Sequence, residues 1–294
     1  MLHDSHSSDV APFRSTGFSL VELLVVIGII ALLIAMLMPA LTTVNEQAKN
    51  LQCQTLLRSM GQAAYVHVND HNGYLPTAGR HWDLPGDAAD PEALGDNRSM
   101  RYTYYTDNGK IRPVPVTVAL GIEIGVKFRL GSRENLEADM QREGFRKHFT
   151  CPSQLVAMSG VTQADSDWIA PHEWSSYLFN EAILGHREKD TNPDPPRGKL
   201  TKIKTPTVVM FATDGRPRES LLFHRLLVPD SPGGRDTLWS FYLLGLRDPI
   251  NFGSEGLDFL RHRYRTNVLF VDGHVEAVPM TEAGLSTVGV SSGR

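Results

Sequence analysis

With 294 residues, 41% of them hydrophobic and 21% charged, the chain has ample material for a core in one large domain or two small ones. Its formal net charge of -4 argues against a dedicated nucleic-acid binder, which carries a basic face. The one basic cluster with an aromatic in it, Arg261-His262-Arg263-Tyr264-Arg265, is short and reads as a solvated strand entry.

Residues 1–17 are polar and show no regular apolar period, so they read as a leader rather than as part of a fold. Phe18–Leu41 then forms an apolar run in which Glu22 is the single charge. As a helix its 24 residues reach roughly 36 Å, enough to cross a hydrocarbon core of about 30 Å with some tilt. The run is too long for a cleavable secretory peptide, and Met38-Pro39-Ala40 is a poor cleavage context. A plain signal anchor would avoid Glu22, because a carboxylate inside a span costs a few kcal/mol. Glu22 therefore either sits at the membrane interface or has a partner, such as a freed N-terminal amine on a neighbouring subunit.

The stretch Gly17-Phe18-Ser19-Leu20-Val21-Glu22-Leu23-Leu24-Val25-Val26-Ile27 resembles the prepilin cleavage and methylation motif of type IV pilins and type II secretion pseudopilins. The resemblance implies cleavage between Gly17 and Phe18 by a prepilin peptidase, followed by N-methylation of Phe18. It makes Glu22 the assembly carboxylate and Pro39 the kinking proline that pilin helices often carry. The implied partners are the peptidase/N-methyltransferase, other pilin-like subunits and the bacterial inner membrane, with no nucleic acid. The implied topology is single-pass with an extracytoplasmic head, leading to a cell-surface filament or a secretion pseudopilus. One departure is that pilin leaders carry several Lys or Arg, whereas this one has Arg14 beside Asp4 and Asp9.

After Pro39 the pattern turns amphipathic. Leu41, Val44, Ala48, Leu51, Leu56, Met60, Ala63 and Ala64 recur at spacings of mostly three to five, which predicts a helical stripe to about Val68. Asn69-Asp70-His71-Asn72-Gly73 supplies stop chemistry, and Asp70-x-Asn72-Gly73 reads as a cap rather than a calcium loop, since the ligand spacing and terminal Glu are missing. Cys53, Leu56-Leu57, Met60-Gly61, Tyr65, Asp70, Asn72-Gly73 and Pro76 look like the helix-to-head junction of a large bacterial pilin-like family. That family is marked at its C-terminus by a His, nine residues, then Asp-Gly.

The middle of the chain is less informative. Asp83–Arg101 and Thr191–Gly198 read as loops, and Asn97-Arg98-Ser99 fits a glycosylation sequon, a match common by chance. Val114–Leu130 holds short apolar runs read as strands, and Arg133–Lys147 is read as a short helix. Phe149-Thr150-Cys151-Pro152-Ser153 resembles the family's mid-domain Cys-Pro element, and Ser175–Asn180 is read as the strand after it. Cys53 and Cys151 stand 98 positions apart (151 minus 53), and in an oxidising compartment they either pair or remain two buried thiols.

Thr207–Ala212 is a β-rich run ending at Asp214-Gly215, and residues 216–258 read as an insertion whose sustained apolar patch is Leu238–Leu246. Asn267–Val271 and His274–Val278, joined by Asp272-Gly273, predict a hairpin on a two-residue type I′ turn. His262, nine residues before Asp272-Gly273, reproduces the family marker, here the prepilin-type processing-associated element spanning residues 262–278. Asp and His are suitable metal ligands, so His262, Asp272 and His274, with Asp214, have an alternative reading as a metal or catalytic cluster. The turn and the fixed offset need no metal, and the histidines are read as scattered, without a zinc helix.

These expectations assemble into an α+β protein of pilin-like layout. It has a leader (1–17), a transmembrane and assembly helix (18–41), an amphipathic continuation (42–70) and an extracytoplasmic head (71–294) with an antiparallel sheet. No catalysis, metal or cofactor is expected of it. The rival expectation is a membrane-anchored extracytoplasmic metal-dependent enzyme or ligand-binding domain using His262 and Asp272.

Overall fold

The computed structural model describes residues 19–76, 103–105, 111–114, 116–153, 175–184, 199–215 and 261–290. Gly17, Phe18, the two loops, the sequon and the 216–258 insertion lie outside the described residues. The chain divides between Asn45 and Glu46 into two compact units.

Helix α1 (Leu20–Asp70) runs for 51 residues. Its first part has no buried face: Leu24, Ile27, Ile30, Leu33, Ile34 and Leu37 are all at least half exposed. A helix apolar on every side needs an apolar surround, and this one is long and apolar enough to cross a membrane. Pro39 lies inside the helix without ending it. Its ring removes the amide that would bond back to the Ala35 carbonyl. Its own carbonyl accepts from the hydroxyls of Thr42 at 2.8 Å and Thr43 at 3.2 Å.

The second unit is α+β. Its main sheet has four antiparallel strands in the order β3 (Tyr177–Phe179), β4 (Met210–Asp214), β5 (Arg265–Phe270), β6 (Val275–Pro279). A separate pair joins β1 (Thr103–Tyr105) to β2 (Ile111–Pro113). Helices α2 (Val116–Glu123), α3 (Arg133–Met140) and α4 (Glu143–Phe149) follow, then α5 (Glu181–Leu184) behind β3 and α6 (Glu282–Leu285) behind β6. The central strands are buried along most of their length, while β6 at the edge is largely open. The β4–β5 register shifts between Met210 and Ala212, a bulge in the otherwise regular ladder.

One apolar core unites the lower part of α1 with α2, α3, α4 and the sheet. The helix contributes Cys53, Leu57, Met60, Ala64 and Val68, spaced four, three, four and four, so one face is continuous. That corrects the predicted stripe. Met60, Ala63 and Ala64 are buried, but Leu41, Val44 and Leu51 remain exposed. Gly61 sets how close helix and sheet come: a Cβ there would lie 3.0 Å from Leu269 Cδ1 and 3.7 Å from the Gly273 Cα.

Two further corrections concern local structure. Val116–Glu123 is a helix rather than strands, and residues 116 to 121 are all buried. A helix buried all round shows no 3.6-residue alternation, and its β-branched start mimics a strand. The β5–β6 connection is a three-residue loop rather than a type I′ turn. Gly273 N–H donates to the Phe270 carbonyl at 3.0 Å, Phe270 N–H donates to the His274 carbonyl at 2.9 Å, and Gly273 has the positive φ of 89°. This is a turn closed by a glycine bulge, the next commonest hairpin solution.

Candidate functional site

The start of α1 is a built structure. Ser19 precedes the first helical residue, and its hydroxyl accepts from the Val21 amide at 3.3 Å. Glu22 Oε2 accepts in return from the Ser19 amide at 2.9 Å. This reciprocal pair is a variant of the capping box in which the N-cap hydroxyl takes the second helical amide, and a carboxylate here also meets the positive end of the helix dipole. The Ser19-x-x-Glu22 spacing carries this cap in the sequence itself.

In the head, the His-x9-Asp-Gly spacing measures out one strand. His262 lies in the turn before β5, and Asp272-Gly273 forms the turn after it. The six residues of β5 alone separate the two ends by about 20 Å. His262 and Asp272 therefore stand at opposite ends of β5, and His262 lies beside Asp214 instead.

Each end is anchored to α1 or its neighbours. At the first, buried His262 places Nε2 3.5 Å from Cys151 Sγ and 3.6 Å from Asp214 Oδ2. Cys151 is joined to Cys53 of α1 by a disulfide, with Cα atoms 5.4 Å apart. Asp214 Oδ2 also accepts from the Asn267 amide at 2.8 Å. The Asn267 side chain then continues to the helix, accepting from Gln54 Nε2 at 3.1 Å and donating to Asn50 Oδ1 at 2.7 Å. Covalent bond, imidazole, carboxylate and amides thus form one network joining α1, β4 and β5.

At the second end, Tyr65 Oη donates to the Val271 carbonyl at 2.9 Å. Burial, helped by the nearby Asp272 carboxylate, pushes the Tyr65 phenol up. Asp272 Oδ1 accepts from the His274 amide at 3.1 Å and also contacts the His274 ring. His274 stacks on Phe270 with ring centroids 4.2 Å apart. Asp272 and His274 order the turn.

A third cluster was missed in the sequence. His67 and His71 stand four apart at the end of α1, with ring centroids 3.7 Å apart and planes within 11°. Glu123, the last residue of α2, brings Oε1 to 3.3 Å from His67 Nδ1. Burial, with His71 beside it, pushes His67 down to about 4, so its ring is neutral at pH 7. The His-x3-His spacing was available in the sequence and contradicts the reading of scattered histidines.

Comparison with known proteins adds one localised match. Residues 12–38 match the prokaryotic N-terminal methylation motif. No curated protein and no solved structure matches the chain. The motif spans the Gly17-Phe18 pair and the exposed apolar part of α1. It points to a pilin or pseudopilin substrate of a prepilin peptidase. The layout below it, a long N-terminal helix on a four-stranded antiparallel sheet, is pilin-like.

Proposed function

We propose that this chain is a structural subunit of a type IV pilus-like or type II secretion pseudopilus-like assembly. Residues 1–17 are its leader, removed by a prepilin peptidase between Gly17 and Phe18, after which Phe18 is N-methylated. Residues 18–41 hold the chain in the bacterial inner membrane until the apolar helices bundle, and 42–70 carry the helix into an extracytoplasmic head. The observation that carries this reading is the methylation motif lying on a helix whose membrane-length stretch has no buried face.

Glu22 gives the assembly step its chemistry. In the single chain its carboxylate is satisfied by the Ser19 amide. In an assembly it exchanges that amide for the methylated Phe18 amine of a neighbour. Such a desolvated ion pair adds little net stability but sets register, because a mismatched charge in the bundle is costly. The cystine and its His262–Asp214–Asn267 network keep the head fixed to the helix while the helix is drawn into a bundle.

Co-expression with a prepilin peptidase tests the maturation step. The chain is expected to lose the mass of residues 1–17 only when the peptidase is active, and Gly17→Val is expected to block the loss. An unchanged mass with an active peptidase that processes a control pilin would overturn the proposal.

A further inference from the structure

We propose that His67, His71 and Glu123 form a binding site for one divalent transition-metal ion of the zinc type, clamping the end of α1 to the end of α2. This goes beyond the assembly role, which uses neither α2 nor these two histidines.

The argument begins with chain geometry. His71 N–H still donates to the His67 carbonyl at 3.0 Å, so the helical spacing persists one residue past Asp70 and both imidazoles emerge on one face. Two histidines at i and i+4 are the arrangement by which a helix offers two nitrogens to one ion. Glu123 arrives from a different element, so the third donor closes a clamp rather than extending a surface strip.

The hydrogen bonds fix which atoms are available. His71 Nδ1 lies 2.7 Å from the His67 carbonyl, which can only accept, so Nδ1 carries the proton and Nε2 carries the lone pair. An imidazole whose outer N–H is held by a backbone carbonyl is the second-sphere arrangement that orients metal-binding histidines. The three residues each bring a ligand atom within 4.8 Å of the other two. Tetrahedral donors about 2.0–2.1 Å from zinc stand roughly 3.3 Å apart, so side-chain rotations that close the donors by up to about 1.5 Å complete the site.

Burial and ligand type select the ion. His67 and His71 are 1% and 2% exposed, and the Glu123 side chain is 8% exposed. A divalent ion would compensate the carboxylate in this dry setting, where charge is costly unless balanced. Two imidazoles and one carboxylate suit zinc, cobalt, nickel or copper, whereas calcium and magnesium prefer shells made of oxygen.

The test uses the full-length chain in detergent micelles, stripped with chelator and titrated with zinc by calorimetry, then with cobalt by visible absorption. The wild type is expected to bind one ion involving these residues, with cobalt bands of a low-coordinate nitrogen–oxygen site. Glu123→Gln keeps shape and removes the charge, and is expected to weaken zinc binding by at least about tenfold. His71→Ala is expected to abolish the cobalt bands. Should His71→Ala not fold, the near-isosteric Glu123→Gln decides alone. Zinc bound equally by wild type and Glu123→Gln would place the ion elsewhere and overturn the proposal, as would a folded wild type that binds none.

Discussion

Three consecutive non-glycine residues, His262, Arg263 and Tyr264, hold positive φ of 48°, 58° and 62°. Left-handed backbone costs roughly 1–2 kcal/mol for each such residue, so something must fix them. The anchor is His262, buried between Cys151 Sγ and the Asp214 carboxylate. Tyr264 is 70% exposed, so its side chain adds strain without visible packing. Tyr264→Gly is therefore expected to stabilise the head by about 0.5–1 kcal/mol in denaturant titrations. His262→Ala is expected to cost about 2–3 kcal/mol in the same experiment, because it leaves buried polar surroundings without their imidazole. His67 supplies a pH signature in chelated protein. The unfolded imidazole takes a proton near pH 6.5 and the folded one near 4. Its contribution is therefore complete above pH 6.5 and is lost as the pH falls to about 4, an effect on the order of 3 kcal/mol. Unfolding free energy measured across that window is expected to lose this slope in His67→Gln.

At the scale of elements, α1 does two jobs with two compositions. Its upper stretch is apolar all round, while its lower stretch carries a single buried face against the sheet. Gly61 is a point of close approach between the lower stretch and the sheet, and Gly61→Val is expected to cost about 1–3 kcal/mol by pushing on Leu269. The Cys53–Cys151 bridge closes a loop of 98 residues, so the double serine variant is expected to lose about 4 kcal/mol, read from denaturation with and without reductant. The apolar helix, its stop at Asn72-Gly73 and the final hairpin were legible because each rests on local chemistry: hydropathy, positive φ and turn residues. The stripe over Leu41, Val44 and Leu51 misled because spacing cannot say where the sheet begins to cover the helix. Val116–Glu123 misled because complete burial erases periodicity. The His262–Asp214–Asn267 network was illegible because its members meet only after β4 and β5 pair, although the nine-residue spacing already carried the length of β5.

For the molecule as a whole, the central claim is that the apolar N-terminal helix is an assembly element released by cleavage at one junction. A membrane-length helix without a buried face, a methylation motif on residues 12–38 and a head bound to the helix by a disulfide and a polar network all support it. The most direct measurement is mass spectrometry of the N-terminus of the chain recovered from membrane fractions of cells with an active prepilin peptidase. The expected result is a chain that begins at Phe18 and carries one added methyl group. A chain beginning at Met1, or at any residue other than Phe18, would contradict it.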